Sequence, residues 1–292
     1  MKKVYFLFLL SLIGLSASAQ KSVDVGIMLG GSNYQGELSS TPYDNIHFAG
    51  GLVGRYNIND HFSLKGNAFY GTISGADSTS TNQFSLARNL SFRSELFEFA
   101  ALIEWNLWAF DPIARNGKKG FTPFAFIGAA VYKYNPKAYF IDPNSDFRGW
   151  VELQPLGTEG QGTTQFQDRK KYNLTQFSIP FGGGVKMRLA PGWTVALEYG
   201  LRKTFNDYID DVSMTYVEPG ILDQTYGSIE QGGYSSSLAD RSSVEVRNAR
   251  TYDPLTFQGE GRGNPKSKDW YAYGGITITY TIFGNRVKCF TF

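Results

Sequence analysis

The stretch WYAYGGITITYTI, residues 270–282, decides the fold. Trp270, Ala272, Ile276, Ile278, Tyr280 and Ile282 occupy one set of alternating positions, and Thr277, Thr279 and Thr281 fall between them. A period of two sends successive side chains to opposite faces of a strand. With one face apolar and the other polar, such a strand suits lipid outside and a polar lumen inside, as in a transmembrane β-barrel.

Seven earlier stretches repeat the pattern. Val23, Val25, Ile27 and Leu29 alternate in the first, and Phe48, Leu52, Tyr56 and Ile58 in the second, with Arg55 on its other face. Asn59-Asp60 turns into a third strand, where Phe62, Leu64, Ala68 and Tyr70 alternate with Lys65 and Asn67. The fourth sets Phe97, Phe99, Ala101, Ile103, Trp105 and Leu107 against Glu98, Glu104 and Asn106. Phe124, Phe126 and Tyr132 mark the fifth, and Phe177, Ile179, Phe181, Val185, Met187 and Leu189 the sixth, opposite Lys186 and Arg188. Pro191-Gly192 leads to the seventh, where Trp193, Val195, Leu197, Tyr199 and Leu201 alternate with Glu198 and Arg202.

Short turns alternate with long Gly/Ser/Tyr-rich loops along this order. The expectation is therefore all-β: a transmembrane, antiparallel, up-and-down β-barrel of eight strands with long extracellular loops. The loop over residues 136–172, rich in glycine, reads as exposed. Ten strands stay open if residues 216–221 and 243–246 form a further hairpin in the last loop. Tyr56, Tyr70, Trp105 and Trp193 fall near strand ends, where aromatic girdles form.

The N-terminus gives the address. Lys2 and Lys3 precede an apolar run over residues 4–15, then Ala17-Ser18-Ala19, so residues 1–19 read as a signal peptide and residues 20–292 as one barrel domain. An even strand count then leaves the N-terminus and a short C-terminal tail in the periplasm of an outer-membrane protein. Outer-membrane lipids are the surrounding partner. A net charge of +2 argues against nucleic acid as a partner.

Arg55, Lys65, Glu98, Glu104, Lys186, Glu198 and Arg202 all point inward on this reading. An eight-stranded barrel is wide enough only for side chains, so these seven form a neutralising network. Counting outward from the turns places Lys65 near Glu104 and Lys186 near Glu198. Enzyme chemistry is not expected: the two histidines, His47 and His61, fall at opposite ends of the membrane. No cofactor or metal is called for either, because Phe147 stands where a calcium loop opened by Asp142 would need glycine.

Four segments resemble one known family. They are residues 30–38 (GGSNYQGEL), 177–185 (FSIPFGGGV), 202–213 (RKTFNDYIDDVS) and 286–289 (RVKC). Together they resemble the PorG family of outer-membrane proteins. That resemblance implies a non-catalytic barrel of the type IX protein secretion and gliding machinery, associated with a periplasmic ring of a lipoprotein and a soluble partner. It marks Asp207, Asp210 and Asp211 as a signature at the outer rim. They read there as acceptors for loop amides and for Arg202 or Lys203, or as a site for a cation or a secretion component. The alternative function is a surface barrel whose extracellular loops bind ligands or adhere.

Two features point to the periplasmic end as the docking side. Arg115, Lys118 and Lys119 in one turn, with Arg286 and Lys288 in the tail, would form a basic surface. Cys289 is the single cysteine of an exported chain, which suggests a free thiol or an intermolecular disulfide, the latter to the ring lipoprotein.

Overall fold

Period-two alternation becomes geometry in the computed structural model, which describes residues 22–39, 41, 43–114, 119–228 and 233–284. The strands are β1 (Ser22–Gln35), β2 (His47–Asn57), β3 (Phe62–Ala76), β4 (Ser91–Asn106), β5 (Phe121–Ile141), β6 (Arg148–Glu152), β7 (Thr175–Ala190), β8 (Trp193–Thr204), β9 (Thr215–Val217), β10 (Gln258–Gly261) and β11 (Trp270–Gly284). Eight of them close a barrel in the order β1-β2-β3-β4-β5-β7-β8-β11, with β11 returning to β1. Every pairing is antiparallel, so the barrel is the up-and-down eight-stranded fold that the alternation predicts. Closure leaves no unpaired edge, which a lipid environment requires of a sheet.

The register aligns the lipid-facing residues into rows. One runs Ile27, Leu52, Ala68, Phe99, Val131, Phe177 across six strands. Exposed apolar side chains encircle the barrel, including Phe48, Ile103, Ile127, Met187, Leu197 and Ile276. Burying that much apolar surface needs hydrocarbon, because soluble monomers rarely expose a contiguous patch above a few hundred Å². Short turns close one end. In the β2–β3 turn, the Asn59 side chain accepts hydrogen bonds from the amides of His61 and Phe62, both at 2.8 Å. Gly192 takes φ +90° in the β7–β8 turn.

The opposite end departs from the sequence reading in two places. β3, β4 and β5 continue well past the apolar belt, and β6 pairs with the top of β5 from Lys137↔Glu152 to Ile141↔Arg148. The rest of the expected exposed loop folds inward: Thr158, Glu159, Gln161 and Thr163 are buried. Its glycines serve as turns, since Gly157, Gly160 and Gly162 hold φ of +56°, +87° and +84°, a region other residues rarely adopt.

The last loop does not add two strands to the barrel. Residues 215–217 pair with β10 in a separate small sheet, and Ser243 caps helix α4 (Val244–Ala249), its hydroxyl accepting from the Val246 amide. The same loop supplies α2 (Pro219–Tyr226) and α3 (Ser235–Ala239), while α1 (Gln83–Arg88) lies between β3 and β4. A contiguous core unites the upper barrel wall with these loops: Phe69, Leu96, Tyr132 and Tyr271 from strands meet Leu153, Ile209, Val212 and Leu238 from above.

Candidate functional site

From the short-turn end upward, the lumen is filled in layers. Asn57 donates to Ser22 Oγ at 2.9 Å and to Asp24 at 2.8 Å, and Ser63 donates to Asn57 at 2.8 Å. Above them Arg55 lies 3.2 Å from Glu104 and 3.5 Å from Asp24. Lys186 is ion-paired with Glu104, and Lys65 with Glu198. Higher still, Arg202 meets Glu98 at 3.2 Å, and Tyr271 donates to the same carboxylate at 2.7 Å.

The seven inward charges read from the sequence thus meet inside the barrel, but with the lysine partners exchanged. Counting from the turns compares neighbours within the sheet. Closure and strand tilt decide which side chains meet across the lumen, and each lysine stem spans it. The pairing adds one member that the sequence reading left out: Asp24, at an inward position between Val23 and Val25. With it, four cations (Arg55, Lys65, Lys186, Arg202) face four anions (Asp24, Glu98, Glu104, Glu198), all buried. Neutrality follows from burial, since a charge left unpaired in a low-dielectric interior is strongly destabilising.

Aromatic rings close the remaining space. Lys65 Nζ lies 5.4 Å from the Phe126 ring centroid, and Lys186 Nζ 5.3 Å from that of Phe124. The paired glycines Gly182 and Gly200 make room for that packing. A Cβ on Gly200 would stand 2.6 Å from Phe126 Cζ and 2.9 Å from Arg202 Nη1. Reconstituted into planar bilayers, the protein is expected to pass no stable current steps of porin size. Reproducible open steps would mean a continuous water column and would refute a filled lumen.

At the long-loop mouth, residues 207–213 (DYIDDVS) form a plug. Ile209 and Val212 enter the core, and the three aspartates are buried at 1–3% exposure, so none stands at an exposed rim. None takes Arg202 or Lys203 as a partner either. Asp207 accepts from Ser213 Oγ at 2.6 Å and has Lys268 Nζ at 3.9 Å. Asp210 accepts from the Val212 amide at 2.9 Å. Asp211 accepts from Tyr172 at 2.7 Å and from Thr158, and lies 3.6 Å from Arg262. Arg202 is committed to Glu98 below, which removes it from reach of the loop.

Arg262, buried, ties the loops together. Its guanidinium donates to the Ala239 carbonyl at 2.9 Å, to Glu159 at 3.0 Å and to the Asp211 carbonyl. Glu159 in turn accepts from the amides of Ser213 and Met214 at 2.9 and 3.0 Å. Arg88 pairs with Asp77 at 2.7 Å and donates to the carbonyls of Arg262 at 2.6 Å and Glu37 at 3.1 Å. All four long loops are therefore cross-linked by two arginines. These groups lie far apart in the chain and show no periodicity, so sequence reasoning had no signal for them.

Beneath the plug, Tyr34 Oη lies 2.6 Å from Asp210 and 2.7 Å from Asp269. A phenol carries one proton, so it can donate to only one of two carboxylates. The other must itself be protonated and donate to the phenol oxygen. Desolvation and mutual repulsion agree, holding both carboxyls well above the usual range, and the same forces push nearby Glu37 up to about 7. Carboxylate oxygens of Glu37, Asp210 and Asp269 lie within 4.8 Å of one another, a spacing that oxygen ligands of a divalent cation also adopt.

Of the expected periplasmic surface, Lys119 is engaged with Asp60 of the β2–β3 turn. Arg115, Lys118, Arg286, Lys288 and Cys289 lie outside the described residues, as do residues 1–21 with the expected signal peptide. His47 meets Ser74 at the long-loop end, while His61 sits at the β2–β3 turn beside the Asn106 carbonyl. Asp142 accepts from the Asn144 amide and from Ser145 in an ordinary turn.

A membrane-embedded barrel with a charge-neutral lumen and an arginine-clamped cap defines a class of protein: a plugged eight-stranded transmembrane barrel. The chain belongs to the family described as domain of unknown function DUF6089, whose model matches residues 2–148. No curated protein matches it. Solved structures with a similar form include Ail, the attachment invasion locus protein of Yersinia pestis, at 8% identity and a TM-score of 0.41, covering 90% of this chain and 99% of that one. Neisserial surface protein A gives 7% and 0.38, covering 88% and 96%. The outer membrane protein OprG from Pseudomonas aeruginosa gives 8% and 0.36, covering 90% and 98%.

Proposed function

We propose that this protein is a non-catalytic outer-membrane anchor of a type IX secretion and gliding machinery, holding a periplasmic ring of lipoprotein and soluble partner to the membrane. The observation that carries the reading is the filled lumen. With every inward charge of the membrane layer paired and the mouth capped, cargo has no path through the barrel, which leaves its end surfaces for function. The four segments that resemble the PorG family support the particular assignment, and residues 207–213 among them build the plug. The basic turn and the tail with Cys289 supply the ring-facing contact, where a disulfide would outlast rim charges individually worth below about 1 kcal/mol.

The test uses membranes solubilised with a thiol-blocking reagent and separated without reductant. A high-mass species containing this chain is expected in the wild type and is expected to vanish in Cys289→Ser. A wild-type sample showing only monomer would defeat the covalent anchor. Pull-downs with tail-truncated and loop-truncated barrels address the alternative of adhesive or ligand-binding loops: retention of partners by the tail-truncated form, with loss by the loop-truncated form, would favour it.

A further inference from the structure

The wall formed by β4, β5 and β6 rises above the apolar belt, and its outer flank changes character there. Going outward along β5, the exposed face passes from Ile127 and Val131 to Lys133, then Asn135 and Lys137, then Tyr139 and Ile141. The register places Arg93 of β4, Lys137 of β5 and Glu152 of β6 side by side. A groove of about 230 Å³ lies on this flank, lined by Arg93, Glu95, Lys137 and Trp150.

The two acids of the flank are already engaged. Glu95 lies 3.7 Å from Lys137, and Glu152 accepts from Asn135 at 2.7 Å. Arg93 makes no ion pair among the described residues, and its guanidinium sits 5.8 Å from the Trp150 ring centroid. Trp150 packs edge-on against Tyr139 at 5.6 Å, yet both rings stay exposed, at 49% and 43%. Cations beside open aromatic faces are a surface for phosphates and for the apolar faces of sugar rings.

Height selects between lipid headgroups. Lys137 is six residues beyond Val131, roughly 20 Å along the strand and about 15 Å above the belt at the usual barrel tilt. A phospholipid headgroup layer reaches only about 5–8 Å beyond the hydrocarbon. A glycolipid continues outward through its sugars, and its phosphates can reach Lys133 first and the Arg93–Lys137 groove above.

We propose that this flank binds the phosphorylated saccharide headgroup of an outer-leaflet glycolipid, with Arg93 and Lys137 holding phosphate and Trp150 packing on a sugar. The inference rests on the orientation in the proposed function, with this end of the barrel facing outside the cell.

The experiment uses the full-length protein purified in detergent and native mass spectrometry with three probes: rough lipopolysaccharide retaining its inner-core phosphates, the same lipid dephosphorylated, and phosphatidylglycerol. Wild type is expected to carry the phosphorylated glycolipid at least tenfold more than either comparator. The pair Arg93→Ala with Lys137→Ala should lose that preference, while Lys203→Ala, two strands away on β8, should keep it. Equal binding of phosphatidylglycerol, retention by the double variant, or equal loss in Lys203→Ala would overturn the site in favour of diffuse surface charge. A Lys137→Cys variant made in a Cys289→Ser background and labelled on intact cells with a membrane-impermeant maleimide separates the two ways to fail. Absence of label refutes the orientation and the site with it; label without glycolipid preference refutes the site alone.

Discussion

Arg262→Ala is expected to open the loop cap while leaving the membrane-level barrel folded. The substitution leaves Glu159 and Asp211 buried without their shared cation and frees the Ala239 carbonyl. Breaking a buried pair on one side costs about 3–5 kcal/mol, here concentrated where two loops meet at one side chain. Limited proteolysis in detergent should then cut within residues 153–174 and 206–268, where the wild type resists. The heat-modifiable mobility of the barrel should persist, because none of its strand ladders or lumen pairs involves Arg262. Adding Glu159→Ala should recover part of the loss, as coupled neighbours do in a double-mutant cycle. Protection equal to wild type in Arg262→Ala would show that the apolar contacts of Ile209, Val212 and Leu238 hold the cap unaided.

The cap is also expected to weaken as pH rises. Asp210 and Asp269 are held well above the carboxylate range, first by desolvation and then by each other's or Glu37's charge. Burial likewise raises Asp211, against the attraction of Arg262, to about 6. A carboxyl whose folded pKa exceeds its unfolded value binds more protons in the native state. Its contribution is therefore complete below the unfolded value near 4 and is lost as pH climbs through the folded value. For Asp211, a rise from 3.8 to about 6 corresponds to about 3 kcal/mol. Proteolytic protection of the loops should thus fall as pH rises from about 4 to about 7, the span set by Asp211 and Glu37, with Asp210→Asn flattening the profile by keeping a neutral group beside Tyr34. A cap that grows more resistant over that interval would mean these acids are ionised and bridged by cations.

The barrel itself was legible because lipid and lumen impose a binary choice on each strand position. Thr277, Thr279 and Thr281 could face only inward beside Ile276, Ile278 and Ile282. Seven inward charges were legible for the same reason, whereas Asp24, in phase at the start of β1, was passed over and entered only through its contact with Arg55. Their pairing was not, because Lys65 and Glu198 are neighbours only after the sheet closes.

The cap lay further beyond reach. Residues 207–213 could be recognised as a distinctive string, yet their burial depends on Tyr34, Tyr172, Glu159 and Arg262, which come from other parts of the chain. Sequence by itself determined which residues face lipid and which face the lumen in most strands, since those follow from a local period. In β5 it took Phe124, Phe126 and Tyr132 as the marking apolar face, and the structure turns these rings inward, where they fill the barrel, with Ile127 and Val131 left to the lipid. Tertiary structure alone decided which charges meet and which loops lock, because long-range contacts follow from closure and from the need to pair every buried charge.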